Sequence, residues 1–204
     1  SKLGVPRALG GIIYNQYAST ASINTSVVQT SVFNESVTTS YGSRILPANF
    51  WGWFPRYYDS TTVLPGAFIR GKVWGTISND TSTPNVTILA GLTIAATFRA
   101  VASTGATAMI STATAAVPFE LDFWLASRVI GAAGVCSIIG GVRFSYFVTS
   151  IAHNIWGPIT AGGCIEITNM VSTAENIIDV QMLWGTSHAN NAFVTQGAII
   201  ESLG

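Results

Sequence analysis

The chain has 204 residues, nine basic and nine acidic, and no net charge. Charged residues make up 9%, against roughly 25% in an ordinary soluble domain. A folded monomer of this length, with a surface of about 9,000 Å², would carry about one charge per 500 Å². Sparse charge favours association over life as a free monomer, and the zero balance argues against a binder that works by neutralising nucleic-acid phosphates.

In chain order, residues 1–25 show no strand period and are rich in Gly, Ser, Thr and Asn. They predict an extended N-terminal arm, followed by one β domain over residues 26–204. The apolar residues of such an arm, Leu3, Val5, Ile12, Ile13 and Tyr14, are candidate interface residues. A first strand is expected over 26–33. From Phe50 to Tyr58 six of nine residues are aromatic, the densest such run in the chain. Trp and Tyr are enriched at protein interfaces and also stack on flat ligands. Trp51, Trp53, Phe54, Tyr57 and Tyr58 are therefore interface candidates, with a glycan site or plain core as the other readings.

The apolar period beyond this run is two, the signature of half-buried strands. Gly66 to Ser78 sets Ile69, Val73 and Ile77 against Arg70, Lys72 and Thr76. Val86 to Phe98 reads as one long strand with Val86, Ile88, Ala90, Leu92, Ile94 and Phe98 on one face. Residues 100–117 are rich in Ser, Thr and Gly and predict a loop. Phe119 to Val129 opposes Phe119, Leu121, Phe123 and Leu125 to Glu120, Asp122 and Arg128. Val135 to Val148 places Ile138, Val142, Phe144, Tyr146 and Val148 on one face. Strands over 164–171, 176–184 and 191–201 follow, the last with Phe193, Thr195, Gly197 and Ile199 on one side. About eight strands, turn-rich linkers and no convincing amphipathic helix predict an all-β antiparallel sandwich, for which the jelly roll is the natural eight-stranded case.

Catalytic chemistry is not visible. The chain has two histidines, His153 after a strand and His188 in the Gly185–Asn191 turn. It has no GxSxG, HExxH, P-loop or GxGxxG motif. Glu120 and Asp122 share a strand face, as paired carboxylates of a glycosidase would, but nothing beside them defines a sugar cleft. No catalytic residue, cofactor or metal ligand is assigned, and an enzyme is not expected. Cys136 and Cys164 read as small buried hydrophobes made in a reducing compartment, with a disulfide left open. Val129 to Val142 is uncharged between Arg128 and Arg143, but it is shorter than the about 20 residues a spanning helix needs. A transmembrane barrel suits the chain less well, because Arg70, Lys72 and Arg143 interrupt the apolar bands.

Residues 175–203 carry an apolar-Asp-Val-x-x-x-Trp strand, a small polar loop and a closing strand ending near Glu. The positions are Asp179, Val180, Trp184, Gly185, Ala189, Asn190, Asn191 and Glu201. This resembles the C-terminal hairpin of a group of tailed-bacteriophage virion proteins. The Leu46-Pro47-Ala48 turn and the glycine-spaced strand Gly66–Gly71–Gly75 are similar to the same group. The resemblance implies a jelly roll, commonly a homotrimer, that serves as a capsid decoration or cement protein. Its expected partners are copies of itself and the major capsid protein. Its expected place is the outer surface of the virion head, after synthesis in the host cytoplasm, with no direct contact to nucleic acid or membrane. The alternative is the glycan- or receptor-binding head of a tail or head fibre.

Overall fold

A computed structural model describes residues 10–34, 40–47, 50–52, 56–57, 63–64, 67–80, 84–109, 115–130, 136–148, 151–157, 165–167 and 176–203. The early strands are β1 (Gly10–Gln16), β2 (Thr30–Ser31), β3 (Ser40–Gly42), β4 (Ile45–Leu46), β5 (Arg56–Tyr57) and β6 (Val63–Leu64). The middle of the chain gives β7 (Phe68–Ser78), β8 (Asn85–Ile94), β9 (Thr97–Ser103), β10 (Thr107–Ala108) and β11 (Val117–Ile130). The rest gives β12 (Cys136–Val148), β13 (Ile151–Gly157), β14 (Ile165–Ile167), β15 (Asn176–Trp184) and β16 (Ala192–Leu203). Among the described residues the only helical element is a 3-10 turn, Phe50–Gly52, and no helix is long and apolar enough to cross a membrane.

Two sheets form a jelly-roll sandwich. The larger runs β13-β12-β11-β7-β16-β1-β3, with β14 also beside β12. The smaller runs β10-β8-β15-β2, with β9 beside β8 and β4 beside β15. The strands β1 to β4 alternate between the two sheets, and the chain changes sheet again between β7 and β8, between β10 and β11, and on either side of β15. Every pairing in the two sheets is antiparallel.

The period-two pattern predicts the core. Ile69, Val73 and Ile77 of β7, Leu121 and Leu125 of β11, and Val86, Ile88 and Leu92 of β8 are fully buried. Phe119 stacks on Phe193 at 4.3 Å. The glycines of β7 make room for neighbouring rings: a Cβ on Gly71 would lie 2.3 Å from the Phe123 ring.

Four expectations change. The strand expected over Val86–Phe98 is broken by a two-residue turn, with positive φ at Ala95 (47°) and Ala96 (63°). The residues after it form β9 rather than extending β8, and with β10 they occupy part of the segment expected as a loop. In β16 the register shifts between Thr195 and Gly197, so Gln196 is an extra residue. This bulge re-aims the strand: Ala198, Ile200 and Ser202 point inward, and Ile199 does not. The first expected strand, over 26–33, contributes only Thr30–Ser31 to the ladder. Finally, residues 10–16 do not stand apart as an arm. β1 is a strand of the larger sheet, between β16 and β3.

Candidate functional site

Alternation along β7 and β11 puts their polar residues on the outer face of the larger sheet. Cross-strand register then sets them side by side, with Asp122 opposite both Arg143 and Lys72, and Arg70 opposite Glu201. Three ion pairs result. Arg70 Nε meets Glu201 Oε2 at 2.6 Å, Lys72 Nζ meets Glu120 Oε2 at 2.9 Å, and Arg143 pairs with Asp122. The two carboxylates that shared a strand face in the sequence are thus each held by a cation.

The same face carries two tryptophans. Trp74 of β7 lies opposite Gly197 of β16, and Trp124 of β11 lies opposite Gly141 of β12. A Cβ on Gly197 would fall 2.4 Å from Trp74 Cζ2, and one on Gly141 would fall 2.5 Å from Trp124 Nε1. Each indole therefore lies against a glycine backbone, and both glycines are buried beneath the rings. Trp74 remains 38% exposed. Trp124 also runs parallel to Phe68, within 10° at a centroid distance of 6.0 Å. Beside Trp124 and the Arg70–Glu201 pair lies a shallow concavity of about 510 Å³, lined by Phe68, Arg70, Lys72, Asp122, Trp124 and Ile199 among others, with Trp74 outside its lining.

A second surface is the lateral edge built from β1–β4 and their connections. Of the nine most exposed large apolar side chains among the described residues, six come from here: Ile12, Tyr17, Val27, Val28, Tyr41 and Ile45. Val28 is 70% exposed and Tyr41 75%. The edge is fastened underneath by a buried polar group. Arg44 Nη1 donates to Asp179 Oδ1 (2.9 Å) and to the Ile178 carbonyl (3.0 Å). Asp179 also accepts from Ser31 Oγ (2.6 Å) and Gln181 Nε2 (2.8 Å). The Arg44 guanidinium lies 4.7 Å from the centre of the Phe33 ring.

The C-terminal motif is explained by these contacts. Asp179 anchors Arg44, and Trp184 Nε1 donates to the Ile23 carbonyl at 2.9 Å. Asn191 Oδ1 accepts from the Asp80 amide and its Nδ2 donates to the Thr186 carbonyl. Glu201 holds Arg70. The motif residues hold the fold, tying early segments and loops to the last hairpin.

The sequence-predicted interface residues divide. Ile12 is exposed and Ile13 is half-buried against the core. Tyr14 and Trp51 are corrections, because both side chains are buried. Tyr14 donates to Gln16 and to the Asn34 carbonyl inside the fold, and Trp51 packs edge-on against Phe50 at 5.4 Å. Tyr57 lies in β5, paired with Val63. Leu3, Val5, Trp53, Phe54, Tyr58 and Cys164 lie outside the described residues. His153 is within β13 rather than after a strand, and His188 is in the expected turn, its Nδ1 accepting from the Asn190 amide. Among the described residues no three His, Cys, Asp or Glu side chains gather as a metal site. Trp74 and Trp124 were missed as site residues. Their signal was the alternation itself, which put Trp74 in step with Arg70 and Lys72, and Trp124 in step with Glu120 and Asp122.

No family model matches the sequence, and no curated protein matches it. Among solved structures, the chain is similar to peanut lectin with a 9-mer peptide, at 8% identity and a TM-score of 0.33, over 95% of this chain and 98% of that one. It is also similar to the CBM2 module of the evolved Dit of Lactobacillus casei BL23 phage J-1, at 11% identity and a TM-score of 0.31, over 94% and 95% of the two chains.

Proposed function

We propose that this chain is a structural subunit of a tailed-phage virion. In this reading it is a decoration or cement protein that docks on the outside of the head and works through buried area rather than catalysis. The observation that carries the reading is the apolar lateral edge. Exposed Val27 and Val28 precede the short strand β2, and exposed Tyr41 and Ile45 lie in the short strands β3 and β4, where open strand edges and apolar side chains together favour protein partners. Sparse charge on the rest of the surface supports the same reading. The partners are copies of the chain and the major capsid protein. The trimeric state and the capsid location come from the C-terminal resemblance.

The test is the mass of the purified protein by light scattering, alone and after sedimentation with undecorated heads. A trimer that co-sediments is expected. The double variant Val28→Asp/Tyr41→Asp, at two exposed positions, should keep its circular dichroism and lose co-sedimentation. A highly soluble monomer that stays in the supernatant overturns the reading, as does a double variant that decorates heads at full occupancy.

A further inference from the structure

The outer face of the larger sheet meets the apolar edge at β1 and β3, where Ile12 lies opposite Glu201 and Tyr41 opposite Asn15, and its centre over β7, β11 and β12 is separated from β1 by β16. Three features there call for an occupant. The first is the pair of indoles set against Gly197 and Gly141, each filling the space a Cβ would take. A tryptophan packed against backbone is restrained; Trp74 remains 38% exposed, and Trp124 lines the concavity beside the parallel Phe68 ring. That arrangement suits the C–H face of a ring, which meets an aromatic surface at little entropic cost. The second is the charge pattern. Arg70, Lys72 and Arg143 are matched one to one by Glu201, Glu120 and Asp122. Among the described residues these pairs offer many donors and acceptors while their charges balance. The third is size. The concavity of about 510 Å³ falls within the about 300–1,000 Å³ typical of small-molecule sites.

We propose that this face binds a neutral oligosaccharide, with Trp74 and Trp124 as stacking platforms and the ion-paired side chains between them as hydroxyl partners. Carboxylates accept from sugar hydroxyls, while guanidinium and ammonium groups donate to hydroxyl and ring oxygens. Each charged side chain keeps its ion-pair partner while turning spare hydrogen-bonding capacity to the ligand, so no charge is stranded. Trp124 lies opposite Arg70, and Trp74 is four residues further along β7. The platforms are thus roughly 13 Å apart along the strand. That span exceeds one sugar ring and selects a chain of several. A nucleic acid or an acidic glycan would need excess positive charge, which the described side chains of this face do not supply.

The test uses the intact chain with cellotetraose, maltotetraose and chitotetraose as neutral probes and tetragalacturonate as the acidic one, read by calorimetry and saturation-transfer NMR. Saturable binding of at least one neutral probe is expected. Trp74→Ala and Trp124→Ala should each weaken it tenfold or more. Because either change uncovers a glycine, Arg70→Ala serves as a second variant. It should weaken binding several-fold while the melting temperature stays within a few degrees. Three results overturn the proposal: no saturable binding of any neutral probe, preference for the acidic probe, or full affinity in both tryptophan variants. A Trp74→Ala protein that remains folded but loses its oligomeric mass also overturns it, since the face would then be a contact between copies.

Discussion

The molecule uses the same chemistry, a guanidinium or ammonium against a carboxylate, in two settings. Between β15 and the lateral edge, the side chains of Arg44 and Asp179 are 10% and 7% exposed. On the outer face of the larger sheet, those of Lys72 and Glu120 are 43% and 45% exposed. In the first setting water is gone, and both partners need the rest of their hydrogen bonds from protein; Ser31, Gln181 and the Ile178 carbonyl supply them. In the second, solvent screens each pair and completes its hydration. The comparison teaches that one set of charges fixes the chain while the other remains free to meet something else.

The buried setting gives the largest expected effect. Asp179→Ala removes from inside the fold the carboxylate that Arg44, Ser31 and Gln181 share, and breaking one half of a buried pair costs about 3–5 kcal/mol. Denaturant unfolding at fixed protein concentration should show that loss. A change below about 1 kcal/mol would mean that Arg44 escapes to solvent and that the edge is not held by this group.

This contrast also explains which parts of the structure were legible in the sequence. Strands β7, β11, β12 and β15 were readable because one face of each is core over most of its length, so alternation shows in the sequence. The reading failed where alternation was intact but its meaning changed. Ala95 and Ala96 carry none of the Asn or Gly chemistry that marks a tight hairpin, and Phe98 resumes in phase beyond them. Gln196 adds one residue to β16 and inverts the face of everything after it. Residues 10–16 looked like an arm because Gly10, Gly11, Asn15 and Gln16 interrupt the apolar pattern, yet Gln16 is buried by hydrogen bonds to the Ala18 carbonyl and the Asn34 amide. The candidate site was only half legible. Its charges and tryptophans could be placed on one face of each strand, but their adjacency across four strands depends on register, which no local signal encodes.

An intermediate effect, outside both charge settings, calibrates the scale. An L-residue in the left-handed region costs about 1–2 kcal/mol, and both exposed turn residues between β8 and β9 adopt it. Ala95→Asn/Ala96→Gly supplies the favoured pair for such a turn. Part of the gain is offset by the greater freedom of glycine in the unfolded chain. A net stabilisation of about 1 kcal/mol is expected, seen as a rise in melting temperature of about 2–4 °C for a chain of this size. An unchanged or lowered melting temperature would show that the turn is not of this type in solution.

The exposed setting should give the smallest effect and therefore the sharpest discrimination. In a double-mutant cycle of Lys72→Ala and Glu120→Ala, the coupling energy reports the pair alone, because substitutions at other partners cancel. For a pair this open to solvent it should be about 0.2–1 kcal/mol, and it should shrink as salt screens it. A coupling above about 2 kcal/mol, insensitive to salt, would place this face in the same class as the Arg44–Asp179 group, committed to holding the sandwich. A weak, salt-sensitive coupling leaves Lys72 and Glu120 with little to lose in stability when they turn toward a ligand, which is the condition an open binding face must meet.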